Sequence, residues 1–195
     1  MQLNSYTSFD GHRRLASGPL QSVAIGVKRL LEGGTDGPVL IFDDGTGRSI
    51  DIDTRGTDEE VLARLPVPVP APVVEQQRGR GRPKLGVVAR EVTLLPRHWD
   101  WLATQPGGAS VTLRKLVEEA RRQHGGKDAA RRAQERAYHF MSAMAGDMPG
   151  FEEASRALFA NESEKLGQLI AGWPGDVREH LARLASIDSS DSVGQ

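Results

Sequence analysis

Cysteine is absent from the 195-residue chain. That excludes a disulfide framework, a cysteine-ligated zinc site and a thiol nucleophile. Aromatic residues make up only 5% and hydrophobic residues 38%, a lean supply for one compact domain of this length. No apolar run approaches the roughly 20 residues of a membrane-spanning helix. The start, Met1-Gln2-Leu3-Asn4-Ser5, shows no basic stretch followed by an apolar core. A cytoplasmic protein with no membrane association is expected. The five histidines, His12, His98, His124, His139 and His180, contain no His-x-x-x-His pair. The phosphate loop, the Gly-x-Ser-x-Gly elbow and the Gly-x-Gly-x-x-Gly fingerprint are also missing. No enzyme, cofactor or metal site is expected. Asp43, Asp44, Asp51 and Asp53 cluster around a turn, but they lack the calcium-loop pattern and read as hairpin carboxylates.

Net charge is also nearly absent, at −1, but by cancellation. Residues 1–77 hold 7 basic and 11 acidic side chains, a net of −4. Residues 78–136 hold 14 basic and 6 acidic, a net of +8. Residues 137–195 hold 4 basic and 9 acidic, a net of −5. A basic middle between acidic ends points to a polyanion-binding segment.

The expected architecture is α+β. A small N-terminal α/β domain spans 1–65. In it Tyr6–Phe9, Val39–Phe42 and Ser49–Asp53 read as strands, and Asp44-Gly45-Thr46-Gly47 joins the last two as a hairpin. Leu20, Val23, Ala24, Val27, Leu30 and Leu31 recur at helical spacing up to Gly33-Gly34. Thr57 and Glu60 form a capping-box pattern before a short helix. Alternating prolines from Pro66 to Pro72 define a linker, placed at 66–86. A strand over 88–94 and two helices follow in 87–125. The first helix opens at Pro96, and the second is capped by Ser110 after Pro106-Gly107-Gly108. Trp99 and Trp101 read as core or interface anchors. A C-terminal helical region covers 126–187. It carries an apolar face at Ala133, Ala137, Phe140, Met141 and Met144, a capped start at Asn161–Glu164 and a last helix with Val177, Leu181 and Leu184. A disordered tail is expected over 188–195.

Within the linker, Arg80-Gly81-Arg82-Pro83 resembles an AT-hook, the short element that lies in the minor groove of AT-rich DNA. Glycine lets the backbone approach the groove floor, and arginines enter its negative potential. The resemblance implies that Arg78, Arg80, Gly81, Arg82, Pro83 and Lys84 contact the groove and flanking phosphates. Gly79 stands where the family has a proline.

Arg90 through Pro96, the tryptophan-bearing helix, Gly108-Ala109-Ser110 and Leu113–Val117 resemble a ribbon-helix-helix domain. In that family two chains pair strands into a ribbon that enters the major groove. The resemblance implies a homodimer, with Arg90 and Thr93 as candidate groove contacts and Ser110 at a phosphate. Two strand registers are open. One buries Val88, Val92 and Leu94 and turns Ala89, Glu91 and Thr93 to the groove; the other turns Arg90 and Val92 outward. Burial favours the first. The helical series Arg114, Lys115, Arg121, Arg122, Lys127, Arg131, Arg132 and Arg136 adds phosphate-binding capacity.

Over most of its length the chain also resembles an uncharacterised bacterial family, through Arg90–Pro96, Pro96–Leu102, Gly107–Ser110 and Phe140-Met141. The expected function is DNA binding, in a transcriptional regulator or nucleoid-associated protein. The alternative is a protein-interaction or adaptor module with no DNA role.

Overall fold

The computed structural model describes residues 5–35, 37–66, 88 and 90–186. The hook, the rest of the linker past Pro66 and the tail lie outside the described residues. The fold is mixed α+β. Among the described residues it has β1 (Tyr6–Asp10), β2 (Arg13–Gly18), α1 (Leu20–Gly33), β3 (Val39–Asp43), β4 (Arg48–Ile50) and α2 (Asp58–Arg64). The helices α3 (Pro96–Ala103), α4 (Gly108–Ala145), α5 (Phe151–Phe159), α6 (Ser163–Leu169) and α7 (Gly175–Ala185) follow.

The four strands form one antiparallel sheet in the order β2-β1-β3-β4. Side chains alternate across it. Thr7 and Phe42 are register partners, as are Phe9 and Leu40, so these four share one face. Ser8 and Ile41 pair on the opposite face. There Val23 and Val27 of α1 pack with Ile41, while Leu20 and Ala24 meet Val61 and Leu65 near α2.

The first face is covered from the far end of the chain. Phe9 and Phe42 share a core with Ala137, Phe140 and Met141 of α4, Ala154 and Leu158 of α5, Leu166 of α6 and Val177 and Leu181 of α7. The expected separate pieces 1–65 and 126–187 therefore belong to one compact unit, Met1–Pro66 with Gly126–Gln195; the second unit is Val67–Gly125. The physical reason is the sheet itself. α1 and α2 cover only one of its two apolar faces.

Local expectations over the first unit are met at β1, α1, the β3–β4 hairpin and α2. The box at α2 is complete: Glu60 N–H donates to Thr57 Oγ1 at 3.3 Å, and Thr57 N–H donates to Glu60 Oε2 at 2.8 Å. Thr57→Ala is expected to destabilise the chain by about 1 kcal/mol; a urea midpoint unchanged from wild type would contradict this. β4 is shorter than expected, because Asp53 turns to accept from Arg55 N–H at 3.1 Å and from Arg55 Nε at 2.9 Å. α6 starts at Ser163, with Glu162 in the capping position and no side-chain cap bond.

Of the expected strand over 88–94, the described residues, 88 and 90–94, are not in a strand. A strand needs a hydrogen-bonded neighbour, and the described residues of the second unit contain no other strand. The helices expected around Leu113–Ala120 and Ala133–Met144 are parts of the single 38-residue helix α4.

Candidate nucleic-acid interface

The hook residues Arg78, Arg80, Gly81, Arg82, Pro83 and Lys84 lie outside the described residues. Of the other candidates, Arg90 and Thr93 are exposed in the segment before α3, which has no regular secondary structure. Val88 and Val92 are 64% and 52% exposed and Leu94 is half-buried. The burial expected for that trio is thus not realised within the chain. Trp99 and Trp101 are exposed rather than core, as are Leu95, Leu116 and Val117. Leu102 is the one buried side chain among the described residues of the second unit. Such a core is far too small to stabilise a domain.

Ser110 does not cap α4. The helix begins at Gly108, two residues earlier, and Ser110 sits exposed in its first turn, its carbonyl accepting from Arg114 Nε at 3.1 Å. Gly107 and Gly108 explain the early start. Their φ values of 87° and 72° lie in the left-handed region that favours glycine, and they swing the chain straight into the helix. The α3 end is tied by Thr104 Oγ1 donating to the Trp101 carbonyl at 2.7 Å.

Along α4, Arg121 pairs with Glu118 at 3.3 Å, Arg122 with Glu119 at 2.6 Å and Arg131 with Asp128 at 3.7 Å. These exposed pairs are worth only about 0–1 kcal/mol each, so a phosphate competes with them easily. Arg136 has a structural role instead. Its Nε donates to the Leu184 carbonyl and its Nη2 to the Ser186 carbonyl, both at 2.6 Å, closing the end of α7. Beside it, His139 has Nδ1 3.0 Å from the Thr46 carbonyl and Nε2 3.3 Å from Arg48 Nη2. A Cβ at Gly47 would overlap the Arg136 carbonyl. The hairpin therefore rests directly on the α4 backbone.

A buried polar cluster in the first unit was not anticipated from the sequence. His180 is fully buried, its ring 5.4 Å from Phe9 and 4.5 Å from Phe140. Arg183 Nη2 lies 2.5 Å from His180 Nδ1. A guanidinium only donates, so Nδ1 accepts and the ring proton sits on Nε2. Nε2 faces Asp44 Oδ1 at 3.4 Å. Thr7 Oγ1 donates to Asp44 Oδ2 at 3.0 Å and accepts from Arg183 Nη2 at 3.2 Å. Desolvation first, then the charges of Arg183 and Arg14, lower the His180 pKa from 6.5 to about 3. The available signal was spacing: Val177, His180, Leu181 and Leu184 fall at i, i+3, i+4 and i+7, so His180 lies on the apolar face.

The cluster is fully buried at His180 and Thr7, while its Arg183 side chain is 49% exposed. Its carboxylate is engaged by Thr7, and Asp43 and Asp53 serve the hairpin turn and Arg55. Among the described residues, no three His, Asp or Glu side chains converge as metal ligands, and no helix is long and apolar enough to cross a membrane.

The sequence model of a family described as "Uncharacterized protein conserved in bacteria (DUF2239)" matches residues 5–185, and the chain belongs to that family. No curated protein and no solved structure matches it.

Proposed function

Starting from membership of an uncharacterised bacterial family, we propose that the chain is a DNA-binding protein, acting as a homodimer in gene regulation or nucleoid organisation. One observation carries the reading. The second unit exposes Val88, Val92, Leu95, Trp99, Trp101, Leu116 and Val117 and buries Leu102 alone among its described residues. A second copy supplies what it lacks: an antiparallel neighbour for 88–95 and cover for the apolar side chains. The same stretch of sequence holds the +8 net charge of 78–136.

In this reading Arg78, Arg80, Gly81, Arg82, Pro83 and Lys84 occupy an AT-rich minor groove and its phosphates. Arg90 and Thr93 reach the duplex from the paired ribbon. The N–H groups of the α4 first turn, around Ser110, hold a phosphate. With roughly 5 phosphates neutralised, log affinity falls against log salt with a slope of about −4 to −5. Fluorescence anisotropy on AT-rich and GC-rich duplexes reads both slope and preference. Absence of binding to either duplex at low salt sinks the proposal; equal affinity removes the hook's base preference. Light scattering should give twice the 21.2 kDa chain mass.

The same exposed apolar side chains also favour the alternative, an adaptor that docks another protein. Capture of a partner that survives nuclease treatment, by a chain that is monomeric and does not bind DNA, selects it.

A further inference from the structure

We propose that Gly125-Gly126 is a hinge in α4, at which the helix opens in solution while the stretches on either side stay helical. The inference stands apart from the DNA-binding reading. Some glycines here have a steric reason; Gly47, for one, lies against the Arg136 backbone. Others, such as Gly33 and Gly167, would meet nothing within 4 Å when given a Cβ. Gly125 and Gly126 differ from those in standing side by side within the exposed stretch of a long helix. Neither has a steric reason. A Cβ at either meets nothing within 4 Å, and neither residue has a positive φ. Alanine fits both positions and is the better helix former, so glycine here weakens the helix without serving its packing.

The surroundings leave that weakness uncompensated. Residues 114–128 are all exposed, and the buried face of α4 begins only at Ala133. Side-chain pairs support the helix up to Arg122 and Gln123, through Glu119. They resume at Asp128 with Arg131. Sharp helix bends concentrate at such small-residue pairs. The division of the chain into two units also falls between Gly125 and Gly126.

Hydrogen exchange on the full chain tests this. Amides 122–130 should be at least 100-fold less protected than 137–145, and at least 10-fold less than 112–120. G125A/G126A should raise protection at 122–130 by up to about 30-fold, the factor for two Gly→Ala changes in a helix interior, and leave 137–145 unchanged. Equal protection across 112–145 overturns the hinge, and so does a continuous loss from 112 to 130 with no boundary. The cysteine-free sequence allows a second readout. Spin labels at K115C and S142C, diluted with unlabelled chain, stand roughly 40 Å apart on a straight helix. A broad distance distribution that narrows in G125A/G126A supports the hinge; a single narrow distance in the wild type excludes it.

Discussion

Phe140→Ala is expected to lower stability by about 3–5 kcal/mol, a range set by deletion of a fully buried aromatic ring. Phe140 is completely buried, and its ring lies 4.9 Å from Phe42, 5.4 Å from Phe9 and 4.5 Å from His180. Through it α4 meets β1, β3 and α7. The cavity left by alanine is walled by other rigid rings and by backbone held in the sheet, so collapse around it is limited. At roughly 2–4 °C per kcal/mol for a chain of this size, the thermal midpoint should fall by about 10 °C. Phe159→Ala is the control: Phe159 is 49% exposed, so its loss should cost well under 1.5 kcal/mol. Similar midpoints for the two variants would contradict a core centred on Phe140.

Acid should destabilise the chain through His180. In the unfolded chain its imidazole takes up a proton as pH falls through 6.5; in the fold that waits until about 3. Between those values the unfolded state binds more protons, so stability rises with pH. The stabilisation is complete above 6.5 and is lost progressively toward 3. The slope reaches at most about 1.4 kcal/mol per pH unit. The groups facing the ring are Asp44 at the hairpin, Thr7 on β1, Arg14 on β2 and Arg183 on α7, with Phe9 and Phe140 on its faces. Both guanidiniums oppose protonation. His180→Gln keeps a neutral donor and acceptor but cannot titrate in this range. Urea midpoints at pH 7, 5.5 and 4.5 should fall more steeply in wild type than in His180→Gln. Parallel lines for the two proteins would show that His180 does not carry the acid sensitivity.

Those two residues also show what the sequence made legible. Phe140 was readable because Ala133, Ala137, Phe140, Met141 and Met144 repeat at helical spacing, and all are buried. Thr57 was readable because a capping box is local chemistry. His180 lies on an equally periodic face, but a polar residue there hides its burial until its partners are known. Of those partners, Arg183 is three positions away on the same helix, but Asp44 comes from 136 positions away in the chain. β2 was missed because Arg13–Gly18, RRLASG, has no β-branched residue and no clean alternation. Its place is fixed by pairing with β1 and by Asp176 Oδ2 accepting from Arg14 N–H at 2.7 Å. Over 88–94 the alternation was legible and the described residues are not in a strand, because alternation specifies a face and leaves the hydrogen-bonding neighbour undetermined. Of the candidate interface residues, Arg90, Thr93 and Ser110 are exposed, but the start of α4 was misjudged and Ser110 is not its cap. The two positive-φ glycines, which the sequence shows only as a break, decided that point.

The split composition of the first unit has a consequence for synthesis. Phe42 and Phe140 are separated by 98 positions. At roughly 5–20 residues per second, a ribosome needs roughly 5 to 20 seconds to pass from one to the other. During that interval the Phe9–Phe42 side of the nascent sheet has been made and its cover has not. The length of the stretch between Pro66 and Gly126 thus sets a time window of aggregation risk, and lengthening it would widen that window without changing a single contact in the folded core.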